Sequence, residues 1–182
     1  MYSGVCLLIP QPFVAHTHYL KKIHLSLFIS HPMALAMNPE LEQVHKVRER
    51  MRTNSPIYAF LLGEIDIYHA EKGVVRARIQ VASHHLNSRG TLHGAFSACV
   101  TDWAGGLAIA SCGLDATGVS TDIHVNYLST AIAKDWLEVE GRADKVGKTL
   151  AFTTITISKQ ANPNGLSTVA RGSHTKYIKI SS

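Results

Sequence analysis

The stretch LHGAFSACVTDWAGGLAIASCGL, residues 92–114, decides the architecture. It is apolar around its whole helical circumference, with Phe96, Val100, Trp103, Leu107 and Ile109 among alanines and small residues, and Asp102 is its only formally charged residue. A helix that is hydrophobic all round is buried, either in a bilayer or in its own protein. Its length would permit a membrane span, but an Asp near the centre costs about 2.5 to 3.5 kcal/mol on insertion scales. Gly105-Gly106 weakens the helix further. The stretch is therefore expected to be a helix wrapped on all sides by the rest of the chain.

Beyond Gly113 the hydrophobic period changes from helical to two. Val119, Thr121, Ile123, Val125 and Tyr127 alternate with Ser120, Asp122, His124 and Asn126, the pattern of a strand with one buried face. Three more alternating runs follow, from Trp136 to Ala143, Leu150 to Ser158 and Thr168 to Ile180, split by turn clusters at Lys145-Val146-Gly147 and Asn162-Pro163-Asn164-Gly165. Upstream, Glu64 to His69 and Val74 to Ala82 read as a hairpin about Glu71-Lys72-Gly73. In its second run Val75, Ala77, Ile79 and Val81 face one way and Arg76, Arg78 and Gln80 the other. Asn38-Pro39-Glu40 supplies a capping residue, a proline at the first helical position and an acid in the first turn, which predicts a helix to near Arg52 with Leu41, Val44 and Val47 on one face. The fold class is α+β: a hairpin, one long buried helix, then a meander of antiparallel strands, five or six in all, wrapped around the helix.

A length of 182 residues suffices for one core-bearing domain, and 46% hydrophobic with 17% charged residues excludes disorder and collagen-like repeats. Three cysteines are too few and too odd for a disulfide framework and fit a reducing compartment. The formal charge of +5 invites a nucleic-acid reading. No basic stripe with interleaved aromatics supports it, so no nucleic-acid partner is expected. Residues 1–39 differ from the rest: they hold Lys21 and Lys22 but no acid and no Arg, and four of the 11 histidines. A mitochondrial presequence would be Arg-rich, and a secretory signal would have a charged start and an uninterrupted apolar run. The expectation is a poorly ordered extension over 1–39, or a segment upstream of a start at Met33 or Met37, and one domain over 40–182. It places the protein in the cytoplasm or mitochondria, not secreted, with no transmembrane segment.

Two features carry chemistry. Asp102 is a lone carboxylate in an apolar helix. It reads either as a structural acid hydrogen-bonded to a Ser or Thr or as a catalytic base, because desolvation raises a carboxylate's pKa and makes it a better proton acceptor. The second feature is Asn87-Ser88-Arg89-Gly90-Thr91-Leu92-His93-Gly94, a polar loop opening directly into the buried helix. The free N–H groups of that first turn can hold an anion or a developing oxyanion. His93 serves there as a general base or as an orienting or packing residue, and the latter is favoured. Cys99 and Cys112 lie in or at the end of the apolar helix and read as packing residues. No metal constellation is evident.

Residues 87–102, together with Gly118-Val119-Ser120-Thr121-Asp122, Gly147-Lys148-Thr149-Leu150-Ala151-Phe152 and Gly172-Ser173-His174-Thr175-Lys176, resemble the small hotdog-fold acyl-CoA thioesterases. Within them the motifs resemble the group containing thioesterase superfamily member 2, related to bacterial phenylacetic acid degradation thioesterases. The match runs from about residue 40 to about 180, in order. The resemblance implies that Asn87 is the active-site asparagine, Gly94 the glycine whose N–H polarises the thioester carbonyl, Asp102 the catalytic carboxylate and Ser120 a serine that positions water. It places coenzyme A contacts at His93, at Tyr127, Leu128, Ser129, Thr130, Ala131 and Ile132, at Lys145, Val146, Gly147, Lys148, Thr149 and Leu150, and at Tyr177. No cofactor is implied, coenzyme A being part of the substrate. The family's His-Gly-Gly here reads His93-Gly94-Ala95, and Thr130 stands where a proline is common. Lys145, Lys148, Lys176 and Arg142 are the candidates for the coenzyme A phosphates.

Geometry adds an inference of its own. Gly94 and Asp102 are eight residues apart on one helix, about 12 Å at 1.5 Å per residue. One carbonyl cannot touch both within a subunit, so a two-fold pairing is expected to bring them together from different chains. The resemblance agrees and implies a homodimer or homotetramer. Acyl-chain preference is not legible. Two other readings compete with hydrolysis. A hotdog hydratase or dehydratase of enoyl or hydroxyacyl thioesters would draft His93, and a noncatalytic acyl-CoA-binding module would have no need of a charge at Asp102.

Overall fold

The computed structural model describes residues 38–161 and 165–179, so the expectation for the first 37 residues lies outside the described residues. Helix α1 (Pro39–Asn54) begins as its sequence predicts: Asn38 Oδ1 accepts the Leu41 N–H at 2.7 Å, and Asn38 Nδ2 donates to the Ala70 carbonyl at 2.9 Å. Val44 and Val47 on its inner face are fully buried. A second helix, α2 (Pro56–Leu62), follows Ser55 directly. Seven residues are too few to display a helical period, so only the Ser-Pro pair announces it.

The hairpin forms as expected from β1 (Asp66–Glu71) and β2 (Val74–Gln80), turning on Gly73 at φ +79°. Helix α3 (Gly94–Ala110) is the buried helix. It is followed by β3 (Val119–Tyr127), β4 (Trp136–Val146), β5 (Leu150–Ala161) and β6 (Gly165–Tyr177). Strand β4 passes through the expected turn at Lys145-Val146 by way of a bulge between Ala143 and Lys145, and the reversal falls at Gly147, whose N–H donates to Leu150 O at 2.9 Å.

The six strands form one antiparallel sheet in the order β1-β2-β4-β5-β6-β3. This overturns the simple meander at one place: β3 pairs with β6 at the far edge, Val119 opposite Tyr177 and Tyr127 opposite Ala170, while β4 slots in beside β2. The cause is α3, which packs against β2, β4, β5, β6 and β3 and delivers the chain to the opposite edge of the sheet. Close approach of helix and sheet requires glycines beneath it. A Cβ on Gly141 would lie 2.8 Å from Ala104 O, and one on Gly172 would lie 2.5 Å from Thr101 Cγ2.

Wrapping of α3 is complete only in its second half. From Trp103 to Ala110 every residue is buried, whereas Gly94, Ala98, Cys99 and Asp102 are half-covered and Ala95 is exposed. These five lie on one helical face, so the described residues leave a stripe of the central helix open. Among the described residues the apolar alternation of β3 is largely without a core as well: Val125 packs against the core, but Val119 is 69% and Tyr127 60% exposed. Among the described residues no helix is long and apolar enough to cross a membrane.

Candidate active site

The loop before α3 is built by Asn87. Its Oδ1 accepts the N–H groups of Arg89 and Thr91 at 2.9 and 3.2 Å, and its Nδ2 lies 2.9 Å from Thr91 Oγ1. His93 caps α3 through Nδ1, which accepts the Ala95 N–H at 3.0 Å. Gly94 is the first helical residue, and its own N–H has no partner among the described residues. The Tyr127 ring stands over Gly94: a Cβ there would lie 3.2 Å from it, and the Tyr127 O–H donates to Gly94 O at 3.3 Å. Glycine at 94 thus makes room for the Tyr127 ring, which a side chain there would crowd.

Two turns further along α3, Asp102 is the centre of a polar cluster drawn from four other positions. Tyr58 on α2 donates its O–H to Asp102 Oδ2 at 2.7 Å. Lys176 on β6 donates Nζ to Oδ1 at 3.1 Å, and Ser120 on β3 donates to the same oxygen at 3.3 Å. His174 Nε2 lies 2.9 Å from Ser120 Oγ. The period of β6 turns Gly172, His174 and Lys176 inward, leaving His174 1% and Lys176 5% exposed. Register sets Ser120 opposite Lys176, just after Gly118 at φ +78°, where a Cβ would fall 2.2 Å from the Tyr177 carbonyl oxygen. A cavity of about 410 Å³ opens beside the cluster, lined by Arg50, Asn54, Tyr58, Val119, Ser120 and Lys176 among others.

The electrostatics of the cluster are one-sided. The rise expected for Asp102 from the sequence is reversed: burial does raise its carboxyl, but the Lys176 charge and the hydrogen bonds from Tyr58 and Lys176, which the sequence did not reveal, outweigh it and hold the group below its ordinary range. Burial raises the Tyr58 phenol, helped by its hydrogen bond to Asp102 and by that residue's charge, so it stays a donor. Burial, then the Lys176 charge, lowers His174 to about 4. Its imidazole is neutral at neutral pH, and its 3.6 Å approach to Asp102 is no ion pair there. Burial pushes the Cys99 thiol up to about 12, the state of an inert packing residue.

The structure places the other expected residues as follows. Lys176 was a candidate for a coenzyme A phosphate, but it is buried and committed to Asp102. Ala131, in the segment expected to meet coenzyme A, has its side chain in the core, and its carbonyl accepts the Leu92 N–H at 2.8 Å. Arg142 is exposed and paired with Glu140 at 2.7 Å, whereas Lys145 and Lys148 remain exposed. Tyr58 was not foreseen, because nothing local to a seven-residue helix marks its phenol as a partner of residue 102. His174 lies within a recognised motif, yet only the strand register turns it towards Ser120.

The remaining segments sort to the two ends of β3. Tyr127 to Ile132 lie at the Gly94 end, where Thr91 bridges Ile132. Leu150 and Tyr177 lie at the Asp102 end, where Tyr177 pairs with both Val119 and Leu150, and the turn from Lys145 leads into them. The Gly94 turn and the Asp102 cluster are thus separate in one chain, eight helical positions apart, about 12 Å along the axis.

The thioesterase superfamily profile matches residues 89–165. The sequence is 31% identical to human acyl-coenzyme A thioesterase 13 over 143 residues, which is 79% of this chain and 97% of that protein. The crystal structure of zebrafish thioesterase superfamily member 2 is similar at a TM-score of 0.66 and 30% identity, covering 74% of this chain and 97% of that one. A Streptococcus mutans protein crystallised with acetyl-CoA is similar at a TM-score of 0.57 and 28% identity, covering 63% of this chain and 89% of that one.

Proposed function

The chain belongs to the thioesterase superfamily, has its hotdog fold and is a thioesterase; from that premise we propose that it hydrolyses fatty or aryl acyl-CoA thioesters to the free acid and coenzyme A at sites shared between two chains. The thioester carbonyl accepts the Gly94 N–H of one subunit, beside Asn87, and the α3 N-terminus stabilises the oxyanion as it develops. Asp102 of the other subunit, with Ser120, takes a proton from water, whose oxygen bonds to the carbonyl carbon. Collapse of the tetrahedral intermediate breaks the carbon–sulfur bond and releases coenzyme A as a thiolate, a leaving group stable enough to need no strong acid. Lys145 and Lys148, exposed near the Asp102 end of β3, bind the coenzyme A phosphates.

The observation that carries this reading is the separation of the two halves together with the uncovered edge strand. An edge strand offers a row of unpaired N–H and C=O groups, and β3 is nine residues long with Val119, Ile123 and Tyr127 exposed along it. Antiparallel pairing of two β3 strands about a two-fold near Ile123 sets Val119 of one chain beside Tyr127 of the other. That joins the Asp102 half of one subunit to the Gly94 half of its partner, twice per dimer, and covers the open stripe of α3. Hydration of an enoyl thioester fits less well, since the Nδ1 of His93 is occupied by the Ala95 N–H. A noncatalytic binder would have no use for a half-buried carboxylate held ionised.

The test is a panel of acyl-CoAs from acetyl to palmitoyl, followed by release of free thiol, with the Asp102→Asn chain alongside. Turnover by the native protein and its loss in the variant are expected. Near-native turnover by Asp102→Asn would sink the assignment.

A further inference from the structure

Counting the hydrogen bonds to Asp102 locates the point at which it can act as a base. An ionised carboxylate has about four lone-pair directions, two on each oxygen. Oδ1 receives Lys176 at 3.1 Å and Ser120 at 3.3 Å, so both of its directions are taken. Among the described residues Oδ2 receives only the Tyr58 O–H, at 2.7 Å, and one direction is left. We propose that Tyr58 is a positioning residue: its O–H occupies one lone pair of Asp102 Oδ2, so that the other alone is presented to the attacking water. The proposal rests on Asp102 being the base of the hydrolysis described above.

The phenol is well placed for this. It is carried by α2, which starts directly at the end of α1: Ser55 closes α1 by donating its N–H to Met51 O at 3.0 Å and then precedes Pro56. At the other end of α2, Leu62 is buried in the core, and Tyr58 itself packs against it. The O–H is thus aimed by two helices rather than by a loop. Tyr58 also lines the cavity beside Ser120 and Lys176, so the free direction of Oδ2 lies next to open space that water can enter. Its role is separate from acid-base transfer, because burial and the neighbouring carboxylate keep the phenol protonated throughout the working range. A third donor also restrains the carboxylate plane, which Lys176 and Ser120, both on one oxygen, leave free to swing about that oxygen.

The Tyr58→Phe chain removes the O–H and keeps the ring, so packing is retained and the melting temperature should stay close to native. Loss of orientation at the base is expected to lower kcat roughly ten- to hundredfold, with KM changed less than about threefold. The acid limb of the pH–kcat profile should move to higher pH, because one donor that favours the ionised carboxylate is gone. An unmoved acid limb would overturn the proposal, whether kcat is native or falls together with a rise in KM, since the ring would then serve only packing or acyl binding. Asp102→Asn, run in parallel, separates the two readings. If it is inactive while Tyr58→Phe is native-like, the positioning role alone fails. If it retains native turnover, the base assignment fails and takes this proposal with it.

Discussion

Mixing two inactive chains should restore hydrolysis. Asp102→Asn removes the base from one half of the site, and Gly94→Pro removes the N–H from the other. Proline is tolerated at the first position of a helix, where Gly94 stands. Its ring meets Tyr127, whose atoms lie 3.2 Å from where a Cβ would be, so the folding of that chain is checked by its melting curve. Co-refolding equal amounts gives heterodimers as about half of all dimers if pairing is random. In each heterodimer one site carries both lesions and the other carries neither. One intact site in two, in half the dimers, predicts recovery of roughly a quarter of native turnover per chain. The assay is thiol release from an acyl-CoA, with native mass spectrometry confirming heterodimers. The roughly 12 Å between Gly94 and Asp102 on one helix is what forbids a site within one chain. Activity that stays at the mean of the two parents while heterodimers are present would refute the shared site.

Other consequences follow from the cluster and the open edge. Replacing Lys176 with Met removes the charge that holds the Asp102 carboxyl down, so activity should be lost at higher pH than in the native protein, as read from the acid limb of kcat. A matching effect on stability comes from His174, which is buried and lowered from 6.5 to about 4. Between those values the unfolded chain binds the extra proton, so stability is full above about pH 6.5 and falls by about 3 kcal/mol as the pH drops to about 4. Urea unfolding of the native and His174→Asn chains should show that slope in the first and a flatter one in the second. Ile123→Asp, at the middle of β3, should shift the protein towards monomer in sedimentation and abolish turnover together with assembly.

Much of the fold was legible because its signals are local. Residues 92–114 are apolar over every helical face, Asn38-Pro39-Glu40 opens a helix by a capping bond that forms as read, and the period-two runs become strands at or near their expected bounds. Strand order was not legible. Antiparallel runs in sequence look alike whether each pairs with the next or is carried past it, and only the packing of α3 across five strands sends β3 to the far edge. The same limit applies to Ala131, whose buried side chain no pattern around it announces.

The sequence by itself determined that a single carboxylate sits in an otherwise apolar helix, and that eight helical positions separate it from the Gly94 turn. Both follow from composition and helical rise, which need no partner elements. Tertiary structure decided what surrounds that carboxylate. Tyr58 and Lys176 are 44 and 74 residues away in the chain, and no local rule connects them to Asp102. Strand register turns Lys176 inward and the junction of two helices aims Tyr58, so the ionisation of Asp102 and the one oxygen direction left open to water are properties of the fold.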